Sequence, residues 1–299
     1  MFASLLTTVF FSLSAIFAKR SIKALGTTTA NLGRLGIALV LLGAYAHTFG
    51  IGLSGAGRNQ FLISGVVGMG LGDLALFAAL PRLGARLTVL MTQCVAVPIA
   101  MITEWLWLGT TLTLAEISWA VIILVGVIVA LVPSRRDPPK VPVTALGFVF
   151  GFLAAAGQGL GAVLSRQAYS LTTAAGGHID GISAAYQRII GGLLITAAFY
   201  LVRHFTTRRP PPTCNLLGYK WRGWGLIVAN ALCGPALGVS CYQWALATTP
   251  SGIVLPIVAT TPLVIVPLAW WIDGDRPSRR SLVGGVIAVA GVVALTLVK

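Results

Sequence analysis

Charge is what this sequence has least of. Of its 299 residues only 9% are Asp, Glu, Lys or Arg, against about 25% in a water-soluble domain. So few charges cannot clothe the surface of a 31.2 kDa globule, which excludes a soluble globular enzyme. Acids are scarcer still, seven in all and scattered, and the three histidines, His47, His178 and His204, stand in separate loop-proximal places. Metal or hydrolytic chemistry calls for clustered His, Asp or Glu, so an integral-membrane enzyme is the weaker alternative and no metal or cofactor is expected. No GxxxxGK[ST] stretch offers a place for ATP. The four cysteines, Cys94, Cys214, Cys233 and Cys241, form no CxxC, and the three in apolar stretches read as small packing residues.

What is present is apolar. The chain is 57% hydrophobic with 35 glycines and a mean hydropathy of +0.90. At ~20 apolar residues per crossing, the runs bounded by charge, proline or glycine clusters give ten spans: 2–18, 28–50, 59–80, 83–105, 113–132, 144–166, 183–203, 222–247, 250–272 and 279–298. The fold class expected is an all-α membrane protein. The first run lacks a basic flank before it and has Lys19 and Arg20 after it, so it reads as a retained helix rather than a cleaved signal. The net charge of +14 belongs to topology and anionic lipid, since no basic-aromatic nucleic-acid module interrupts the apolar runs.

Two loops break the pattern strongly, Ser134 to Pro142 at the midpoint and the stretch from Arg203 to Arg222 that contains Arg208-Arg-Pro-Pro-Pro212. The first divides the chain into halves of five spans, residues 1–133 and 144–299, joined by a linker at 134–143. The halves resemble each other in order. Ser12 to Lys19 aligns with Gly159 to Arg166, Arg34 with Arg188, Gly68-Met-Gly-Leu-Gly72 with Gly234-Pro-Ala-Leu-Gly238, and Val125 to Leu131 with Ala290 to Leu295. Such ordered matches point to a duplication. Five is an odd number, so the second half must enter the membrane upside down, as an inverted repeat with its binding site near the midplane.

At these residues the chain resembles the ten-helix drug/metabolite transporter superfamily, in its EamA-type branch. Each half of that family tends to carry a proline in its fourth helix, a Leu-Gly-Glu-like turn, then an apolar helix with Gly-Val. The matches are Pro98, Leu108-Gly-Thr-Thr-Leu-Thr113 and Gly126-Val127 in the first half, and Pro262, Gly274-Asp275 and Gly291-Val292 in the second. Thr110 stands where the acid is expected. The resemblance implies transport of a small metabolite, often export.

Seventeen of the 21 Lys and Arg fall to the side of the odd-numbered turns and four, Arg58, Arg166, Arg188 and Lys299, to the other. The positive-inside rule then places the odd turns in the cytoplasm and both termini outside a cell (inner) membrane.

Ionisable side chains inside spans are rare and worth naming. Asp73 is the one acid well inside a span. Arg34 and Asp73 lie about equally far from the turn between spans 2 and 3, hence at similar depth at ~1.5 Å per residue. They can pair, either to fix helix register or to line a cavity that responds to protons or substrate. Arg188 repeats Arg34, but Val239 stands where Asp73 would repeat. Arg188 is therefore solvated at its helix end or free to bind an anionic group such as a carboxylate. Gln93, Gln158, Tyr186, Gln187, Asn230, Tyr242, Gln243 and Trp244 place amides and aromatics on spans 4, 6, 7 and 8, as interhelical glue or as a wet, partly aromatic cavity. Of these Gln93, Gln158, Tyr186, Tyr242, Gln243 and Trp244 join Arg34, Asp73 and Arg188 as candidate substrate-binding residues. Trp105, Trp107, Trp119, Trp221, Trp224, Trp270 and Trp271 near span ends read as interface anchors. Pro98 interrupts span 4, and Pro256, Pro262 and Pro267 span 9, freeing carbonyls in either a pliant or a merely bent helix.

The function expected is a secondary transporter and exporter of a small polar or amphipathic metabolite such as an amino acid, by alternating access. A flippase for a lipid-linked precursor is the alternative on the same architecture. The partners are a small-molecule substrate, membrane lipid and protons as a candidate coupling ion, with no nucleic acid.

Overall fold

The computed structural model describes residues 1–25, 27–133, 141–206, 219–273 and 278–297. Ser134 to Lys140, the Arg208 to Pro212 stretch, Cys214, the Gly274-Asp275 turn and Lys299 lie outside the described residues, as do the side chains of Trp221, Trp270 and Trp271.

Among the described residues ten helices are long and apolar enough to cross a membrane: Phe2–Ile22, Thr29–Thr48, Arg58–Leu83, Ala85–Leu108, Leu114–Leu131, Ala145–Ala174, Gly181–Val202, Gly223–Thr248, Ser251–Leu268 and Arg279–Leu297. These are spans 1 to 10, and among the described residues there is no strand. The chain is a multi-pass membrane protein of the all-α class.

Span boundaries follow from local chemistry. Gly109, at a φ of +66, ends span 4 in the left-handed conformation that glycine adopts without strain. Thr113 then opens span 5 as half of a capping box: its hydroxyl accepts from the Glu116 amide and the Glu116 carboxylate accepts from the Thr113 amide. Span 6 runs to Ala174, two turns beyond the 166 expected. The helix continues past its first charge because Arg166 is satisfied inside the bundle by Glu104 and the Leu246 carbonyl.

Contacts across the chain sort the short turns into two ends. The Thr144 amide donates to the Arg82 carbonyl at 3.2 Å, joining the turn after span 3 to that after span 5. At the other end Gln187, early in span 7, donates to the carbonyls of Gly52 and Ser54 in the turn after span 2. The odd-numbered turns thus share one end and the even-numbered turns the other.

Among the described residues three spans depart from regular α-helix. Gly65–Gly72 in span 3 and Leu232–Gly238 in span 8 are π-helical. They contain the Gly68–Gly72 and Gly234–Gly238 stretches that align in the sequence, and single π-turns inside α-helices concentrate at functional sites. Span 9 breaks into Ser251–Val258 and Thr261–Asp273 just before Pro262. Hydroxyls take up the exposed carbonyls. Thr261 donates to Val258 and Thr260 to Ile257, both at 2.6 Å, while Thr8 and Ser12 of span 1 reach Ile257 and Thr261 at 3.2 and 3.0 Å. The break is therefore held by span 1 rather than left loose.

Small residues set how closely helices approach. Gly68 and Gly72 face Gly157 and Gly161 of span 6, where a Cβ on Gly157 would come within 2.8 Å of the Gly72 Cα. Spans 5 and 10 cross at Gly126 and Gly284, where a Cβ on Gly126 would sit 2.7 Å from the Gly284 carbonyl. Backbone cannot yield as a side chain can. Gly126→Ala is expected to cost about 1–3 kcal/mol of stability, read as a lowered thermal midpoint in detergent. Gly285→Ala, with nothing within 4 Å of its Cβ among the described residues, should leave the midpoint unchanged, and equal shifts for the two would contradict close packing at Gly126.

Candidate substrate cavity

One cavity of about 300 Å³ lies inside the bundle, lined by both halves of the chain. Span 1 contributes Phe11 and Ser14, span 2 Arg34, span 3 Gly68, Asp73 and Leu76, and span 4 Thr92 and Gln93. From the second half come Gln158 of span 6, Arg188 of span 7, Gly234, Pro235 and Tyr242 of span 8, and Val258 beside the break in span 9. Both π-helical segments thus form part of the wall.

The polar groups occupy distinct depths. At ~1.5 Å per residue, Arg34 lies roughly 10 Å along its helix from the odd-turn end, while Arg188 and Tyr242 lie about as far from the even-turn end. Arg34 Nη2 pairs with Asp73 Oδ2 at 3.3 Å, and its Nε donates to Asn31 Oδ1 at 2.8 Å. The two side chains keep 21% and 25% of their accessible surface, so the pair is wet rather than sealed. Gln158 Nε2 donates to Gln93 Oε1 at 2.8 Å, bridging the halves across the cavity.

Arg188 is neither at a helix end nor solvated. Its residue is 5% exposed, and its guanidinium lies over the Tyr242 ring at 5.5 Å from the centroid. Among the described residues its Nε finds no hydrogen-bond partner. No carboxylate lies within 4 Å of it among the described residues.

Six of the nine candidate residues line the cavity: Arg34, Asp73, Gln93, Gln158, Arg188 and Tyr242. The other three do not. Tyr186 is hydrogen-bonded through its hydroxyl to His47 Nε2 at 3.2 Å. Gln243 is fully buried and donates to Ser165 Oγ at 3.3 Å. Trp244 is 49% exposed, edge-on to Phe2. Helical geometry is the reason: neighbours in sequence are turned by ~100°, so Arg188 and Tyr242 facing inward turn Tyr186, Gln243 and Trp244 away.

Toward the even-turn end the bundle is closed by polar contacts that sequence reasoning missed. Glu104 is 2% exposed, and its Oε1 accepts from Arg166 Nε at 3.0 Å. Its Oε2 accepts from the Ser251 amide at 2.7 Å and from the Ser251 hydroxyl. Arg166 also donates to the Leu246 carbonyl at 2.8 Å. Spans 4, 6, 8 and 9 are therefore tied by one pair of charges. Asp73 is thus not the one acid inside a span. Glu104 escaped notice because it falls close to the end of its apolar run, but an acid flanked by Thr103 and Trp105 within that run was a readable signal. Ser64, Ser165 and Gln243 extend the seal, with Ser64 Oγ donating to the Gly161 carbonyl at 2.6 Å. Phe61 and Tyr169 pack edge to face beside them.

The comparisons with known proteins agree with this architecture. The model of the EamA-like transporter family matches twice, at residues 1–132 and 145–297. A solved crystal structure superposes with a TM-score of 0.77 at 17% identity, covering 99% of each chain, a likeness that shows the fold alone. Among curated proteins none matches the sequence.

Proposed function

The chain belongs to the EamA-like transporter family, membrane transporters of the drug/metabolite superfamily, and on that premise we propose that it is a secondary transporter that exports a small polar or amphipathic metabolite, such as an amino acid, by alternating access. The observation that carries this reading is the central cavity: a space of about 300 Å³ among the spans, with an ion pair, an amide pair and a buried arginine in a largely apolar wall. That composition suits one small molecule held by a few polar contacts.

The proposed mechanism uses two inverted repeats, residues 1–133 and 144–299, rocking about the cavity. Three observations support it: the family model matches each half separately, the matched Gly68–Gly72 and Gly234–Gly238 segments are both π-helical, and both line the cavity. In this conformation Glu104, Arg166 and the serine contacts close the even-turn end, while the wet Arg34–Asp73 pair lies toward the odd-turn end. With the basic odd turns in the cytoplasm, the protein is poised to load from inside.

Two measurements test this. Proteoliposomes supplied with a panel of radiolabelled metabolites, with and without a proton gradient, are expected to show saturable flux of at least one small polar solute, and flux indistinguishable from empty liposomes across the panel would refute transport. Orientation is separate. A periplasmic reporter fused after Lys299 should be active and a cytoplasmic fluorescent one dark, whereas the opposite pattern would reverse the direction of loading.

A further inference from the structure

We propose that Arg188 is the anchor for a carboxylate on the transported molecule, so that the cavity is a receptor for small monoanionic acids with an apolar body. This rests on the transporter reading above and narrows it to a substrate class.

Among the described residues Arg188 forms no ion pair. Arginine does not lose its proton in proteins, so a side chain as buried as Arg188 carries its positive charge into the bundle. A buried cation normally has an anionic partner. Among the described residues Asp73 is engaged with Arg34 at 3.3 Å and Glu104 with Arg166 at 3.0 Å, and Asp180 accepts from the Ile182 and Ser183 amides and the Ser183 hydroxyl. The Tyr242 ring faces the guanidinium at 5.5 Å and steadies it through its π face, but a ring supplies no net charge. The Nε–H has no partner among the described residues. Among the described lining residues there are two arginines and one acid, leaving one positive charge in excess.

The place of the guanidinium is built. A Cβ on Gly68 would lie 2.7 Å from Arg188 Nη2, and one on Gly161 3.2 Å from it. Two glycines, one in a π-helical segment and one on span 6, clear the room that the guanidinium occupies. Any other residue at Gly68 would push it aside.

The chemistry of the missing partner follows. A planar fork of N–H donors matches the two oxygens of a carboxylate. One excess positive charge is neutralised by a monoanion, whereas a phosphate monoester, carrying close to two negative charges at pH 7, would leave the cavity negative. Phe11, Met69, Leu76 and Val258 offer the rest of the molecule an apolar surface.

The test uses the purified full chain in detergent, with thermal unfolding and calorimetric titration against matched pairs: 3-phenylpropionate with 3-phenylpropanamide, and 4-methylvalerate with 4-methylvaleramide. Phenyl phosphate serves as the phosphate arm. The acids at millimolar concentration are expected to raise the thermal midpoint and to bind at least tenfold more tightly than their amides or phenyl phosphate. Arg188→Gln should abolish that preference and, having lost an uncompensated buried charge, should unfold without ligand at a midpoint equal to or above wild type. Arg188→Lys should keep the preference for acids with weaker binding, because the charge remains and the fork is gone. Equal binding of acids and amides, no response to either acid, preference for phenyl phosphate, or an Arg188→Gln protein that keeps the preference or is destabilised would each overturn the proposal. Its failure is distinguishable from failure of the transporter reading. Flux of a neutral or cationic solute without acid binding sinks the carboxylate anchor alone, and acid binding without any flux sinks transport alone.

Discussion

Glu104→Ala is expected to be among the most damaging single substitutions in this protein, with a loss of roughly 3–5 kcal/mol, the usual cost of removing one member of a buried ion pair. Three contacts go at once. Arg166 loses its carboxylate at 3.0 Å while its side chain is only 20% exposed. The Ser251 amide, at the first residue of the helix Ser251–Val258, loses its acceptor at 2.7 Å. That helix also loses a negative charge at its N-terminus, where the macrodipole favours one. Chemical or thermal unfolding of the purified protein reads the loss. Glu104→Gln with Arg166→Gln should recover part of it, since no charge is then stranded and an amide can still accept from Ser251. A single variant as stable as wild type, or a double variant no better than the single, would show that the contacts do not hold the even-turn end together.

Asp73→Asn is expected to leave folding nearly intact and to remove gradient-driven accumulation. The pair it forms with Arg34 is one-quarter exposed to the cavity, and Arg34 keeps its bond to Asn31 at 2.8 Å when the acid is gone. The cost in stability should accordingly stay near that of a solvated pair, ~1 kcal/mol or less. Among the described residues Asp73 is the one acid in the cavity wall. If protons drive export, it is the side chain placed to carry them while substrate is bound nearby. A pH gradient of one unit stores about 1.4 kcal/mol per proton, enough for tenfold accumulation. Wild-type proteoliposomes should approach that ratio, and Asp73→Asn proteoliposomes should still exchange labelled for unlabelled substrate but settle at equal concentrations, because an amide cannot release a proton. Wild-type accumulation in the variant at unchanged pH dependence would leave Asp73 as a structural partner of Arg34.

Much of the architecture is legible in the amino-acid sequence alone. The scarcity of charge and the length of the apolar runs specify ten membrane helices, because each depends only on composition within one segment. The Arg34–Asp73 pair is legible as well, since both residues lie at similar distances from one short turn and adjacent helices must run side by side. The halves match in sequence at Gly68–Gly72 and Gly234–Gly238, although their glycines give no hint of π-helix.

Only the tertiary structure decided which polar residues share a cavity. Tyr186 and Arg188, or Tyr242 and Trp244, are equivalent as members of a sequence motif, and the rotation of each helix in the bundle sends one inward and the other out. Partnership across long separations was equally invisible. Glu104 finds Arg166 and Ser251, 62 and 147 residues away, and an acid that the sequence did not single out joins a charge counted to the even turns to close one end of the molecule. Arg188 without a counter-ion emerged for the same reason. Sequence could show that the repeat supplies it no acid, but that no other described helix brings one within 4 Å is a property of packing. The segments and their membrane class were thus set locally by composition and periodicity. The site was set by helix rotation and by contacts between spans, which no local pattern encodes.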